Sequence, residues 1–375
     1  MRLAIEKGNQ NKVGDSDLFP VICASVAVLL AIEKQLIRNI RYFCEKENKD
    51  VDKSYFEQIF SGKEVSDKII LDVFRFQYQN NQVYQDWCNV LNRQPDKIQN
   101  VESIPFLPIS FFKTHKIVCG DFEPELIFES SGTTQTVNSQ HLIKYASIYE
   151  ESFQKGFELF YGAPRDWCIL GLLPAYLERK NSSLVKMAND LIALSQHPKS
   201  GFYLYDFEKL NATLNELEVA GQKTLLLGVT FALLDFAEAF PNQLRSTIIM
   251  ETGGMKGRKK ELTRQEVHKY LHRQLGVAHV HSEYGMTELL SQAYSKGEGR
   301  YVCSPWMRAY LREENDPFAI KKSGQGLINV IDLANVYSCS FIATDDVGIL
   351  HSDNTFEVQG RLDNSDLRGC SLLAL

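Results

Sequence analysis

The sequence predicts an α/β protein: a large α/β core, a helical entrance region before it and a small β-rich lobe after it. Three changes of texture along the 375 residues point to this. Between residues 31 and 100 apolar side chains recur at helical spacing, as in Ile69, Ile70, Val73, Phe74 and Tyr78. From Ile104-Pro105-Phe106-Leu107-Pro108 onward, short apolar runs alternate with amphipathic stretches, the signature of strands separated by crossover helices. After Pro317, strand-like runs at residues 327–331 and 340–343 are joined by Gly and Asp turns. The expected division is residues 1–50 as an N-terminal helical extension, 51–316 as the core and 317–375 as the β-rich lobe.

Taken in order, the first element is the apolar segment 18–32, interrupted by Pro20 and too short to span a bilayer comfortably. Glu6, Asp15 and Asp17 stand where a signal peptide would carry basic residues, so a buried helix is preferred there over membrane association. The core strands are expected at 126–128, 168–173, 224–227, 248–250 and 277–281. The helix before the last of these is legible residue by residue. Thr263 with Glu266 makes a capping box, Val267, Tyr270, Leu271 and Leu275 share one face, and Gly276 supplies the stop.

Composition narrows the function. A net charge of −6 disfavours a nucleic-acid partner. Cys23, Cys44, Cys88, Cys119, Cys168, Cys303, Cys339 and Cys370 show neither a CxxC pair nor the spacing of a disulfide scaffold, so reduced thiols in a cytoplasmic protein are expected. His279, His281 and Cys303 lack a fourth ligand at short spacing, which favours core or neighbouring histidines over a metal site.

Three motifs can carry chemistry. Ser130-Ser131-Gly132-Thr133-Thr134 follows a strand-like run, and small hydroxyl residues around a glycine let backbone and side-chain donors approach phosphate oxygens. It is not a Walker loop, and alone such a turn is more often an ordinary loop. Ser282-Glu283-Tyr284-Gly285-Met286-Thr287-Glu288 follows the expected strand 277–281, where an open α/β sheet binds ligands; Thr287 can donate to an α-phosphate and Glu288 can hold a cation. As a local feature it also reads as a solvated helix start. Thr344-Asp345-Asp346-Val347-Gly348, followed by Gly360-Arg361-Leu362-Asp363, offers a carboxylate for a ribose diol and an arginine for oxygens, or else a hairpin turn.

The order and spacing of these motifs resemble the adenylate-forming superfamily of acyl and aryl ligases. The runs Leu173-Pro174-Ala175-Tyr176-Leu177-Glu178, Met250-Glu251-Thr252-Gly253-Gly254-Met255-Lys256-Gly257-Arg258 and Ser282 through Gln292 are similar to its acyl-protein synthetase (LuxE-like) branch. The resemblance implies an adenylate-forming ligase-like large N-terminal domain, with ATP and Mg2+ as cofactors. It implies activation of a carboxylic acid, a fatty acid foremost, to an acyl adenylate. Ser130, Ser131, Gly132, Thr133 and Thr134 would cradle the phosphates, and Gly253 and Gly254 would let backbone approach the adenine, with Tyr284 and Gly285 beside it. Thr287 would touch the α-phosphate, Glu288 the magnesium, Asp346 the ribose, with Arg361 next to it. Gly228-Val229-Thr230-Phe231 and Tyr176 would border the acyl pocket, or else belong to ordinary core.

Two departures matter. Gln135 stands in the phosphate loop with no lysine through Gln140, which leaves Lys256 as a candidate for phosphate charge. Most relatives continue for about a hundred residues into a mobile domain, whereas this sequence ends at Leu375, so a truncated C-terminal domain is expected. In acyl-protein synthetases a cysteine near the C-terminus accepts the acyl group, and Gly369-Cys370-Ser371 matches it. A thiolate on a terminal tail suits attack on a mixed anhydride. An acyl-reductase partner is implied in turn. Transfer to coenzyme A or a carrier, and a non-catalytic acyl- or nucleotide-binding subunit, remain open alternatives.

Overall fold

The computed structural model describes residues 50–130, 138–174, 180–253, 262–314, 316 and 318–362. The apolar segment 18–32, Ser131, Gly132, Thr133, Thr134, Tyr176, Gly254, Lys256 and Cys370 lie outside the described residues, as does everything expected of the chain beyond residue 362. The chain divides into two compact units, residues 1–55 and 56–375. Of the first, only residues 50–55 are described; the described strands belong to the second.

In chain order the strands are β1 (Leu107–Pro108), β2 (Leu126–Glu129), β3 (Gln140–Ile143), β4 (Cys168–Leu172), β5 (Gly201–Phe202), β6 (Thr224–Gly228), β7 (Thr247–Glu251) and β8 (Val280–Tyr284). They continue with β9 (Ala293–Ser295), β10 (Val302–Cys303), β11 (Met307–Arg312), β12 (Ile320–Lys321), β13 (Gly324–Asp332), β14 (Phe341–Leu350) and β15 (Phe356–Arg361). One sheet runs β10-β9-β8-β7-β6-β4-β5, in which β4 to β8 are parallel. Its crossovers are the helices Ser183–Ser195, Phe207–Val219, Thr230–Ala239 and Arg264–Leu275, which is the expected α/β texture. All five residues of β4 and of β6 are buried, as a sheet covered on both faces requires.

The last crossover forms as its sequence dictates. The Thr263 side chain accepts from Glu266 N, and Glu266 Oε2 accepts from Thr263 N at 2.8 Å. Gly276 ends the helix at φ 66°, and Val267, Leu271 and Leu275 are buried with Tyr270 packed beside them. The next strand differs from expectation. It begins at Val280 rather than 277, so Ser282, Glu283 and Tyr284 lie within it and not after it. Val277 is buried, but its carbonyl accepts from His272 Nδ1 at 2.5 Å, so the chain is still closing the helix there.

The second sheet is β1-β14-β13-β11-β12 with β15 on β14, drawing strands from residue 107 and from both sides of residue 317. Thr344 to Gly348 do not form a hairpin turn; they lie inside β14, where Val347 and Gly348 pair with β13, Thr344 to Asp346 fall at the register shift between Leu327 and Asn329, and pairing to β15 runs from Asp346. Gly348 is needed there, because a Cβ would stand 2.4 Å from the Glu357 carbonyl oxygen. The residue 126–128 strand is found as β2, and among the described residues it pairs with β3 alone, in a two-stranded ribbon. In the entrance region, the helix Asp67–Asn80 buries Ile69, Ile70, Val73 and Phe74, while the Tyr78 hydroxyl bonds Asn89 Oδ1 at 2.7 Å. Among the described residues no helix is long and apolar enough to cross a membrane.

Candidate active site

The carboxyl ends of β6, β7 and β8 meet at Glu251. Its Oε1 accepts from the Thr230 hydroxyl at 2.6 Å and from Gly253 N at 2.9 Å, and its Oε2 accepts from the Ser282 hydroxyl at 3.2 Å. Arg264 Nε stands 3.8 Å and His268 Nε2 3.7 Å away. Burial alone would raise this carboxyl; His268, Arg264 and Thr230 outweigh it and hold it down at about 2. Gly253 sits at φ 79°, a conformation that favours glycine. The turn it forms is laced to the β6 end by Thr230 N to Gly253 O at 2.9 Å and Thr252 N to Gly228 O at 3.1 Å. Glu251 therefore fixes the turn to which Gly253 belongs. Thr230 is buried and its hydroxyl is already engaged by that carboxylate, so within Gly228-Val229-Thr230-Phe231 this residue serves the turn.

Two of the three motifs touch directly. Tyr284, on the parallel sheet, donates its hydroxyl to Asp346 Oδ2, on the second sheet, at 2.8 Å. The ring lies buried with its neighbour Phe356 edge-on at 5.2 Å. Of the two aspartates, Asp346 is the more buried and holds Tyr284, while Arg361 lies 4.0 Å from Asp346 Oδ1 and 3.8 Å from Asp345 Oδ2. Burial raises the Asp346 carboxyl, against the opposing pull of the Tyr284 hydrogen bond and of Arg361.

The third motif joins through Ser139. Ser130 and Ser139 close the ribbon: Ser130 N donates to Ser139 O at 3.1 Å, and Ser139 N donates to Ser130 Oγ at 2.9 Å. The Ser139 side chain in turn lies against the Glu288 carboxyl. Burial raises that carboxyl, while Ser139, Arg361 and Lys113 favour its charged form. Ser130, Glu288, Arg361, Asp346 and Tyr284 thus form one connected set, with Gly285 and Thr287 in the loop between Tyr284 and Glu288.

Three residues without a sequence signal for the task hold that loop. His141 Nδ1 donates to the Thr287 carbonyl at 2.9 Å, and its Nε2 accepts from Ser338 Oγ at 2.8 Å. A carbonyl only accepts, so this tautomer is fixed, and burial lowers the imidazole to about 4. Asn335 Nδ2 donates to the Glu288 carbonyl at 2.8 Å. Asp332 Oδ2 accepts from Leu290 N at 2.7 Å and Ser291 N at 3.0 Å. Asp332 also caps the short turn Leu333–Asn335, a spacing visible in the sequence, although its reach to Leu290 is not.

With this geometry in place, comparison with known proteins is decisive about kinship. The family model described as acyl-protein synthetase, LuxE, matches residues 47–374. The chain belongs to the acyl-protein synthetase family. Two curated members are similar over most of their length. A long-chain-fatty-acid–luciferin-component ligase of Vibrio harveyi is 22% identical over 337 residues, covering 83% of this chain and 87% of that one. Its counterpart from Aliivibrio fischeri is 23% identical over 339 residues, covering 83% and 88%. Among solved structures, an open conformation of 2-hydroxyisobutyryl-CoA ligase with 2-HIB-AMP and CoA superposes with a TM-score of 0.58 at 10% identity, covering 86% of this chain and 75% of that one. The acyl-protein synthetase chain thus has the fold of adenylate-forming ligases.

Proposed function

We propose that this family member activates a carboxylic acid, a fatty acid by analogy with its two curated relatives, to an acyl adenylate and then transfers the acyl group to Cys370. The observation that carries the reading is the bond from Tyr284 to Asp346, which ties a strand end of one sheet to a carboxylate of the other. In the first step the substrate carboxylate attacks the α-phosphorus of ATP and pyrophosphate leaves. Thr287 donates to the α-phosphate, Asp346 and Arg361 grip the ribose, and Gly253, Tyr284 and Gly285 flank the adenine. Ser130 contributes to the phosphate cradle with Ser131, Gly132, Thr133 and Thr134, Lys256 supplies charge to the phosphates, and Gly254 joins Gly253 at the adenine. Such catalysis is positioning and charge neutralisation. In the second step the Cys370 thiolate attacks the acyl carbonyl, AMP leaves and a thioester forms, from which an acyl-reductase partner would draw.

Mg2+ usually takes one or two carboxylates and completes its shell with phosphates and water. A single buried carboxylate, Glu288, whose charge a cation would relieve, fits that pattern, and among the described residues no three-carboxylate or histidine cage competes with it. Bound there, magnesium would neutralise charge on the leaving phosphates.

The test uses the full chain, Mg-ATP and labelled fatty acid. Fatty-acid-dependent pyrophosphate release is expected, with a hydroxylamine-labile label on the protein. Cys370→Ser should keep the release and lose the label. Pyrophosphate release from no acid at all would remove the adenylation reading, and a label retained in Cys370→Ser would remove the acceptor.

A further inference from the structure

On the face of β8 opposite Tyr284, polar groups gather that adenylation and acyl transfer leave unused. Strand alternation places Glu283 and Gly285 on that face. Glu283 stands opposite Tyr294 of β9, and Gln292 precedes it by two residues on the same side. The helix Ala146–Tyr161 covers them with Tyr149 and Tyr161, whose hydroxyls feel the Glu283 carboxyl. Those two hydroxyls are engaged elsewhere: Tyr149 donates to Ser183 O at 2.8 Å, and Tyr161 bonds His281 Nδ1 at 3.2 Å. The others are not. Tyr294 is 1% exposed and Gln292 4%, yet Tyr294 Oη and Gln292 Oε1 have no hydrogen-bond partner among the described residues. Glu283 is buried as well, and its carboxyl is set by burial and the charge of Glu251 alone, with no hydrogen bond among the described residues.

Buried polar groups are almost always paired, so adjacent unpaired ones call for a partner. The cluster also adjoins the proposed site. Glu283 directly precedes Tyr284, and its Oε1 reaches to Gly285, where a Cβ would stand only 2.4 Å from it. We propose that Glu283, Gln292 and Tyr294 form a subsite for a hydroxyl or carbonyl oxygen on the acid's own chain, so that the preferred substrate is a hydroxy or oxo acid rather than a plain alkyl acid. The inference rests on the adenylation reading and sharpens its substrate class. Glu283, pushed up to about 8, carries a proton at neutral pH. It can then donate as well as accept, as Tyr294 can. A neutral set suits a neutral oxygen and penalises an ionised group.

Pyrophosphate release by the full chain is measured with acids matched in length, either plain or carrying a hydroxyl or oxo group at successive carbons. One polar acid should exceed its plain counterpart in kcat/KM by at least about tenfold, because a plain chain leaves the cluster unpaired. Tyr294→Phe should lower kcat/KM for the polar acid and raise it for the plain one, so the two move in opposite directions. Glu283→Leu, which removes both donor and acceptor, should narrow the preference too, and thermal unfolding of both variants verifies their fold. Plain acids turned over as well as every polar one, or a Tyr294→Phe change equal for both, would overturn the subsite while leaving adenylation standing. Release with no acid of either kind removes both.

Discussion

At the scale of single residues, the Tyr284 phenol is the contact on which the proposed nucleotide site depends most directly. A hydrogen bond to a carboxylate contributes about 1.5–3 kcal/mol. Tyr284→Phe is therefore expected to lower unfolding stability by up to about that much and, by releasing Asp346, to raise the KM for ATP by about tenfold or more, read by acid-dependent pyrophosphate release. An unchanged KM would detach Asp346 from the sugar. Tyr284, Asp346 and Arg361 were legible in the sequence because their spacing follows a family pattern. Glu251, His141 and Asp332 were not legible as positioning groups. Their partners, Thr230, Thr287 and Leu290, lie far away in sequence, and nothing in a local window marks a carboxylate or an imidazole as facing inward.

Local elements were legible where the forces that make them are local. The helix Arg264–Leu275 declares both its ends through Thr263, Glu266 and Gly276, and Thr263→Ala should cost about 1 kcal/mol in denaturant unfolding. An unaltered midpoint would mean that tertiary packing alone defines that end. The start of β8 was displaced because Val277 has a strand-like side chain and a buried position, while ladder pairing begins only at Val280 with Ile249. The Thr344–Gly348 stretch looked like a turn because Asp and Gly favour turns, yet β13 and β15 flank it and draw it into a strand. Gly348→Ala tests that arrangement. A Cβ pressed against the Glu357 carbonyl and Ile328 should destabilise by about 1–3 kcal/mol, and a neutral result would show that β15 can shift.

For the molecule as a whole, buried titrating groups set opposite pH limbs. His141 and His281, both lowered by burial to about 4, contribute stability that is complete above about pH 6.5 and is lost as pH falls through 4. Glu283, raised to about 8, contributes stability that is complete below about pH 4.5 and is lost as pH rises through 8. Tyr149, Tyr161 and Tyr294, which face it, are pushed upward and stay neutral throughout that window, and Glu251 stays charged. Stability should then decline between pH 6.5 and 8, and Glu283→Gln should flatten that decline. A slope identical in both proteins would show that Glu283 is already ionised. The thiols add a practical consequence. Cys88 and Cys303 are pushed up to about 12 by burial, Cys168 and Cys339 are raised by the same cause, and Cys119 is enclosed. Iodoacetamide reacts with thiolates, so rapid alkylation of the native protein at neutral pH should fall on Cys23, Cys44 or Cys370. Mass mapping of the C-terminal peptide, with and without prior incubation in acid and Mg-ATP, would then report occupancy of the proposed acceptor as protection from the reagent, with no substitution made.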